Sequence, residues 1–243
     1  MKKAAEYFVT FILIQFVSLT LANGAVILSG GQIGDNPASA AIGMNVATFI
    51  LVLAVFILWF RSVSLNADYL KSGRWVQLAL CAILGIATIS PSLFIEQLTP
   101  GVIDTNKELF TSMIASPKGF IALVFLGPIT EEIVFRGAIL KALSISTQNK
   151  WIAIGVSASL FAIIHFNPAQ LLHTFLIGIL LGWVCIKTKS IVPCILIHII
   201  NNGTVYLFIK YMPEASLTSV PLLITSVLLI IISLLGIIKS TRQ

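Results

Sequence analysis

Residues 220–238 read VPLLITSVLLIIISLLGII, with no charged side chain from Val220 to Ile238. A helix of about 20 apolar residues spans the hydrocarbon core of a bilayer, and a run of this length has no stable place on a water-facing surface. Seven more apolar runs lie near 7–28, 39–60, 76–95, 119–143, 151–166, 170–187 and 191–209. The chain therefore reads as all-α, a polytopic transmembrane helical bundle of about eight spans.

Composition agrees. Of 243 residues, 58% are hydrophobic and 10% charged, where a soluble domain carries about 25% charged residues. Lipid must therefore be the solvent for most of the surface. The net charge of +6 comes from basic residues scattered between apolar runs, without the dense patch that nucleic-acid binding needs. Cys81, Cys185 and Cys194 lie in or beside apolar segments with no CxxC spacing, so no disulfide framework is implied. The run from Tyr7 to Ile27 exceeds the roughly 7–15 residues of a signal-peptide core, and a retained first helix is expected.

No internal repeat is evident, and a single membrane domain over 1–243 suffices. Residues 96–118, with Glu96, Pro100, Asp104, Lys107, Glu108, Pro117 and Lys118, form the longest polar stretch. A loop carrying a short amphipathic surface helix is expected there. Alternating eight spans from a cytoplasmic N-terminus puts Lys2, Lys3, Arg61, Lys71, Arg74, Lys141, Lys150, Lys187, Lys189, Lys239 and Arg242 inside. Lys107, Lys118 and Lys210 fall outside, a bias of eleven to three. It favours both termini in the cytoplasm. Gly178 with Gly182, and Gly155 with Ser159, are small-xxx-small pairs of the kind that let helices approach closely in lipid.

Ionisable groups inside a span cost about 2.5–3.5 kcal/mol each. The fourth run nevertheless holds Glu131, Glu132 and Arg136. Glu132 and Arg136 are four residues apart and share a helix face, so they can pair. Glu131 points about 100° away and has no charged partner on its own helix, which suits a general base or acid. His165 closes the fifth run, and the seventh carries His198 and Asn202 four residues apart. Asn201 faces elsewhere and suits a helix–helix hydrogen bond. His173, near the start of the sixth run, reads as interfacial.

Two hydrolytic arrangements fit this set. In one, His165 and His198 bind a divalent metal such as zinc, with Glu131 as a ligand or as base for a bound water. In the other, Glu131 activates water directly while the histidines and Asn202 polarise the carbonyl and stabilise the oxyanion. There is no HExxH motif.

The run Glu131-Glu132-x-x-x-Arg136, then Phe161-x-x-x-His165, then His198-x-x-x-Asn202, resembles the CPBP family of intramembrane endopeptidases, the Abi or CAAX-protease-like family. The matching region covers 119–209. The resemblance implies a catalytic core there, with Glu131 as catalytic base, His165, His198 and Asn202 completing the site, and Glu132 and Arg136 as its structural pair. It implies a peptide or lipidated-peptide substrate. Nothing in the sequence marks a eukaryotic organelle, and a bacterial cytoplasmic membrane is the expected location. The first three spans carry no usable signature, and substrate choice is expected to reside in them and in 96–118. Two other readings stay open: a non-catalytic bacteriocin-immunity or peptide-binding protein, and a transporter or proton relay built on the same ionisable residues.

Depth raises a difficulty. On straight spans with the limits above, Glu131 lies ~18 Å and His198 ~11 Å from the inner ends of their helices, with His165 near an outer end. Tilt, or a fourth span starting later at Pro128, would be needed to bring them together.

Overall fold

The computed structural model describes residues 1–61, 74–98, 101–212 and 217–241. Among these residues there are nine helices and no strands. We number them α1 (Lys2–Leu28), α2 (Pro37–Trp59), α3 (Trp75–Gln97), α4 (Lys107–Ala115), α5 (Pro117–Thr147), α6 (Lys150–Ile163), α7 (Pro168–Thr188), α8 (Val192–Tyr211) and α9 (Val220–Ser240). Lys71, Pro100 and Arg242, used in the sequence reading, lie outside the described residues.

Each of the eight apolar runs forms a helix close to its expected limits, but the span count needs revision. Six helices are long and apolar enough to cross a membrane, and a seventh crossing arises if α4 and α5, bent by 112°, act as one broken span. The remaining apolar helix, α6, has only 14 residues. At 1.5 Å per residue it is about 21 Å long, short of the ~30 Å hydrocarbon core. The helix expected within 96–118 is α4, and Glu96 belongs to the last turn of α3 rather than to the loop.

Local chemistry sets the helix ends. Asn36 caps α2 by accepting from the Ser39 N–H at 3.0 Å, with Pro37 in the first turn. Gln148 closes α5 in the left-handed region (φ +54°), and Asn149 at once caps α6 by accepting from the N–H groups of Trp151 and Ile152. This tight turn folds α6 back beside α5.

The polarity of the helices is inverted relative to a soluble protein. On α9 the buried positions include Ser226 and Ser233, while Ile224, Leu228, Ile231, Ile232 and Leu235 are exposed. Such a surface suits lipid. Asn201 joins α8 to α3, donating to the Gly85 carbonyl at 3.3 Å and the Thr88 hydroxyl at 3.0 Å, which is the helix–helix role expected for it. Between α1, α5 and α6 the interior is a ladder of edge-on rings: Phe11 to Phe135 at 5.8 Å and Phe135 to Phe161 at 5.3 Å.

One small-residue pair is at an interface and the other is not. A Cβ on Gly178 would stand 3.0 Å from the Ala158 Cβ and 3.3 Å from Phe161, and one on Gly182 would meet Ile154, whereas Gly155 has open space beside it. Ser159 is exposed and donates to the Gly155 carbonyl in its own helix. Of the two pairs, only α7's glycines therefore lie at the α6–α7 contact. Gly178→Val should destabilise the protein by about 1–3 kcal/mol through overpacking, lowering its unfolding temperature in detergent. Gly155→Ala should leave that temperature unchanged or slightly raised.

Candidate active site

Helix α5 builds the site by departing twice from α-helical geometry. Its backbone widens to π-helical turns at Ala122–Leu126 and Ile133–Ile139. The first precedes Pro128, whose ring lacks an N–H and would crowd the preceding turn of a regular helix. In the widened turn the Gly127 N–H donates to the Ala122 carbonyl. The Leu123 carbonyl thereby loses Gly127 as a donor, and its next candidate, Pro128, has no N–H. Asn202 of α8 donates to that freed carbonyl at 3.1 Å. A backbone acceptor left bare in lipid would be costly, so the break in α5 and the amide on α8 stabilise each other.

Just before the second π turn lie the two carboxylates. Glu132 is fully buried, and its Oε1 accepts from Arg136 at 2.7 Å and from His198 Nδ1 at 2.9 Å. Arg136 also donates to the Gly178 carbonyl at 3.2 Å, and its guanidinium carbon lies 4.4 Å from the Phe161 ring centroid. The pairing expected from the i, i+4 spacing is therefore present, together with a third member the spacing could not reveal. A carboxylate oxygen accepts, so His198 carries a proton on Nδ1 and turns Nε2 the other way. Nε2 lies 3.7 Å from Glu131 Oε2, and Glu131 is partly exposed, at 22%. That gap is too long for a direct hydrogen bond, but an oxygen placed against both atoms can bond to each.

His165 sits in the turn after α6. Its Nδ1 donates to the Phe161 carbonyl at 2.8 Å, leaving Nε2 outward. The turn includes Phe166 at a left-handed φ of +47°, an uncommon conformation for a bulky residue. Three consecutive residues before α4 clamp it. Asp104 accepts from Asn167 at 2.7 Å, Thr105 donates to the Phe166 carbonyl at 3.2 Å, and Asn106 donates to the His165 carbonyl at 3.2 Å. The Phe161 ring meets both imidazoles edge-on, with centroids 5.0 Å from His165 and 5.9 Å from His198.

Glu131, His165, His198 and Asn202 all line one cavity of about 660 Å³. The unequal depths expected of straight spans do not keep them apart, because α5 is bent against α4 and twice widened. His173, read from the sequence as interfacial, lines the same cavity with Nδ1 3.1 Å from Glu96 Oε1, a partner the sequence did not suggest. Nothing in the sequence pairs residues so far apart.

The metal-ligand set is a separate matter. Among the described residues no group of three or more His, Cys, Asp or Glu side chains converges as a metal cluster. His165 and His198 have each committed one ring nitrogen, to Phe161 and to Glu132. No step below runs through a metal. The three cysteines are free.

Residues 114–204 match the family described as type II CAAX prenyl endopeptidase Rce1-like. The likeness to this family spans 91 of the chain's 243 residues. The matched segment contains Glu131, Glu132, Arg136, His165, His198 and Asn202. A relative from Bacillus subtilis (strain 168), named "Putative membrane peptidase YdiL", is 29% identical over 185 residues, covering 72% of this chain and 75% of its own. No solved structure matches the chain significantly. The protein is thus a multi-pass membrane protein that over residues 114–204 is similar to a CAAX-type endopeptidase family.

Glu132→Ala should be among the most destabilising substitutions in this protein, by about 3–5 kcal/mol, because it leaves Arg136 buried and uncompensated. Adding Arg136→Met should recover part of the loss. Thermal unfolding of both single variants and the double variant in detergent measures this coupling.

Proposed function

We propose that this protein is an endopeptidase that hydrolyses a peptide bond at or within the bilayer, using water activated by Glu131. The observation that carries the reading is the approach of Glu131 Oε2 to His198 Nε2 at 3.7 Å, with Glu132 holding the opposite ring nitrogen. Two carboxylates thus flank one imidazole, one buried and orienting, the other open to a cavity large enough for a peptide segment.

Glu131 takes a proton from water as the water oxygen bonds to the scissile carbonyl carbon. Negative charge then develops on the carbonyl oxygen. Asn202 spends one amide hydrogen on Leu123 and keeps a second for that oxygen. His198, when protonated at Nε2, adds another donor from its fixed ring. Collapse of the tetrahedral intermediate breaks the C–N bond, and Glu131 returns its proton to the leaving amine. One water is consumed, and one carboxyl and one amine are produced. His165 lines the cavity beyond Phe161, where its Nε2 can polarise the substrate.

The substrate class proposed is a hydrophobic or lipidated peptide, in keeping with the family's description. Residues 1–243 form one membrane domain in this reading, with 119–209 as its catalytic core. Cytoplasmic termini, favoured by the Lys and Arg asymmetry over eight alternating spans, require an even number of crossings, as with six but not seven, and the Bacillus relative supports a bacterial cell membrane.

Reconstituted protein should cleave a lipidated or hydrophobic peptide. Glu131→Gln and His198→Ala should each lower kcat by about 10²–10⁴-fold, while Glu131→Gln unfolds near the wild-type temperature. Equal cleavage by wild type and both variants would remove the assignment. Protection of cells that survives Glu131→Gln would favour a peptide-binding role, and gradient-driven uptake into vesicles would favour a transporter.

A further inference from the structure

Glu131 faces a second chamber that the catalytic reading does not use. On the side of α1 and α2 lies a cavity of about 180 Å³, lined in part by Gln15, Asn45, Thr48, Thr130 and Glu131. At ~30 Å³ per liquid water it has room for several. Its wall is polar in an unusual place. Gln15 is near the middle of α1, Thr48 near the middle of α2 and Thr130 near the middle of α5. Hydrocarbon offers no hydrogen-bond partner, so polar groups at that depth turn to protein or to a wet cavity.

The details suit water. Thr48 is buried and donates to Gln15 at 3.3 Å. Thr130 is 3% exposed, and its hydroxyl has no hydrogen-bond partner among the described residues. Asn45 spends its amide N–H on the Ala41 carbonyl. Asn45, Gly127 and Glu131 line both this chamber and the large cavity, so they form the partition between the two. A Cβ placed on Gly127 would stand 3.6 Å from Asn45 Oδ1 and 4.0 Å from Glu131 Oε1. These are ordinary contact distances, so an alanine at 127 would fit and would place a methyl group between Asn45 and Glu131.

We propose that this chamber is a dedicated water site that supplies the hydrolytic water to Glu131 from the face opposite the substrate. The proposal rests on the endopeptidase reading. A peptide filling the large cavity displaces its water, whereas the small chamber stays wet and adjoins the same carboxylate. Gln15, Thr48 and Thr130 are then positioning residues for water, contributed largely by the two helices whose sequences carry no family motif.

Two readouts test it on the reconstituted full chain. Radiolytic hydroxyl-radical footprinting reports bound water directly. Met44, which lines the chamber, should be oxidised several-fold faster than Met113, which is buried elsewhere. Gln15→Leu/Thr48→Val should reduce that rate to Met113's. In peptide cleavage, Thr48→Val and Gly127→Ala should each lower kcat about tenfold or more with KM unchanged, and Thr48→Ser should recover most of the loss. Equal oxidation of Met44 and Met113 overturns the water site. Normal kcat in Thr48→Val and Gly127→Ala, with Met44 labelling lost, overturns its supply role. Footprinting needs no turnover, so a wet chamber in a protein that cleaves nothing counts against the endopeptidase reading rather than against the water site.

Discussion

The Oε1 atom of Glu132 is the point on which the site depends. It accepts from Arg136 on its own helix and from His198 on α8. A carboxylate with no solvent exposure costs several kcal/mol to bury even after relaxation, and only charged or strongly polar partners offset that. Arg136 has the same problem and solves it with Glu132, the Gly178 carbonyl and the face of Phe161. The network therefore ties α5 to α7 and α8 through bonds whose loss strands a charge. It also fixes the imidazole of His198 about its ring axis, so that Nε2 and Glu131 confront each other without either being locked to the other.

Backbone irregularity follows the same logic. In hydrocarbon an open carbonyl has no water to turn to, so a break in a helix must be repaired by a side chain. The π turn before Pro128 frees the Leu123 carbonyl, and Asn202 occupies it. Widened turns of this sort are often found at functional sites. Here the reason is visible: widening lets a proline sit inside α5 and delivers a polar amide to the cavity wall beside Glu131. Asn202 is thus a structural plug and a presented donor at once, because a primary amide has two N–H groups.

Much of this was legible in the sequence. Eight apolar runs of this length read as helices in lipid, and the few ionisable residues within them stand out. Glu132 with Arg136 was readable because helical spacing alone puts the pair on one face. That same sufficiency hid the bond to His198, since a pair already explained asks for no third partner. The clamp on His165 by Asp104, Thr105 and Asn106 was hidden for another reason: polar residues in a polar stretch carry no contrast. Gln15, Asn45 and Thr48 were missed because a single amide or hydroxyl per helical turn is tolerated in any span, and their convergence depends on how α1 and α2 pack. The short α6 was counted as a full span because the apolar signal of its sequence runs through His165 and Phe166, whereas its backbone turns after Ile163. Gly155 with Ser159 matched a packing motif whose face happens to point away from the neighbouring helix.

The aromatic ladder explains how such a site keeps its geometry without a strong hydrophobic drive. Lipid tails are as apolar as leucine, so helices in a bilayer gain little from apolar contact as such and rely on close packing and directional bonds. Rings meeting edge to face supply direction as well as area. From Phe11 on α1 through Phe135 on α5 to Phe161 on α6, each ring is set by the one before it, and Phe161 then abuts both His165 and His198 while its face lies under Arg136. One side chain therefore sets the spacing of the two imidazoles and shields the ion pair beneath them. An aliphatic residue at 161 could fill much of the same volume, but it would offer neither a negative face to the guanidinium nor a flat edge to the imidazoles, so the geometry depends on the ring and not merely on its bulk.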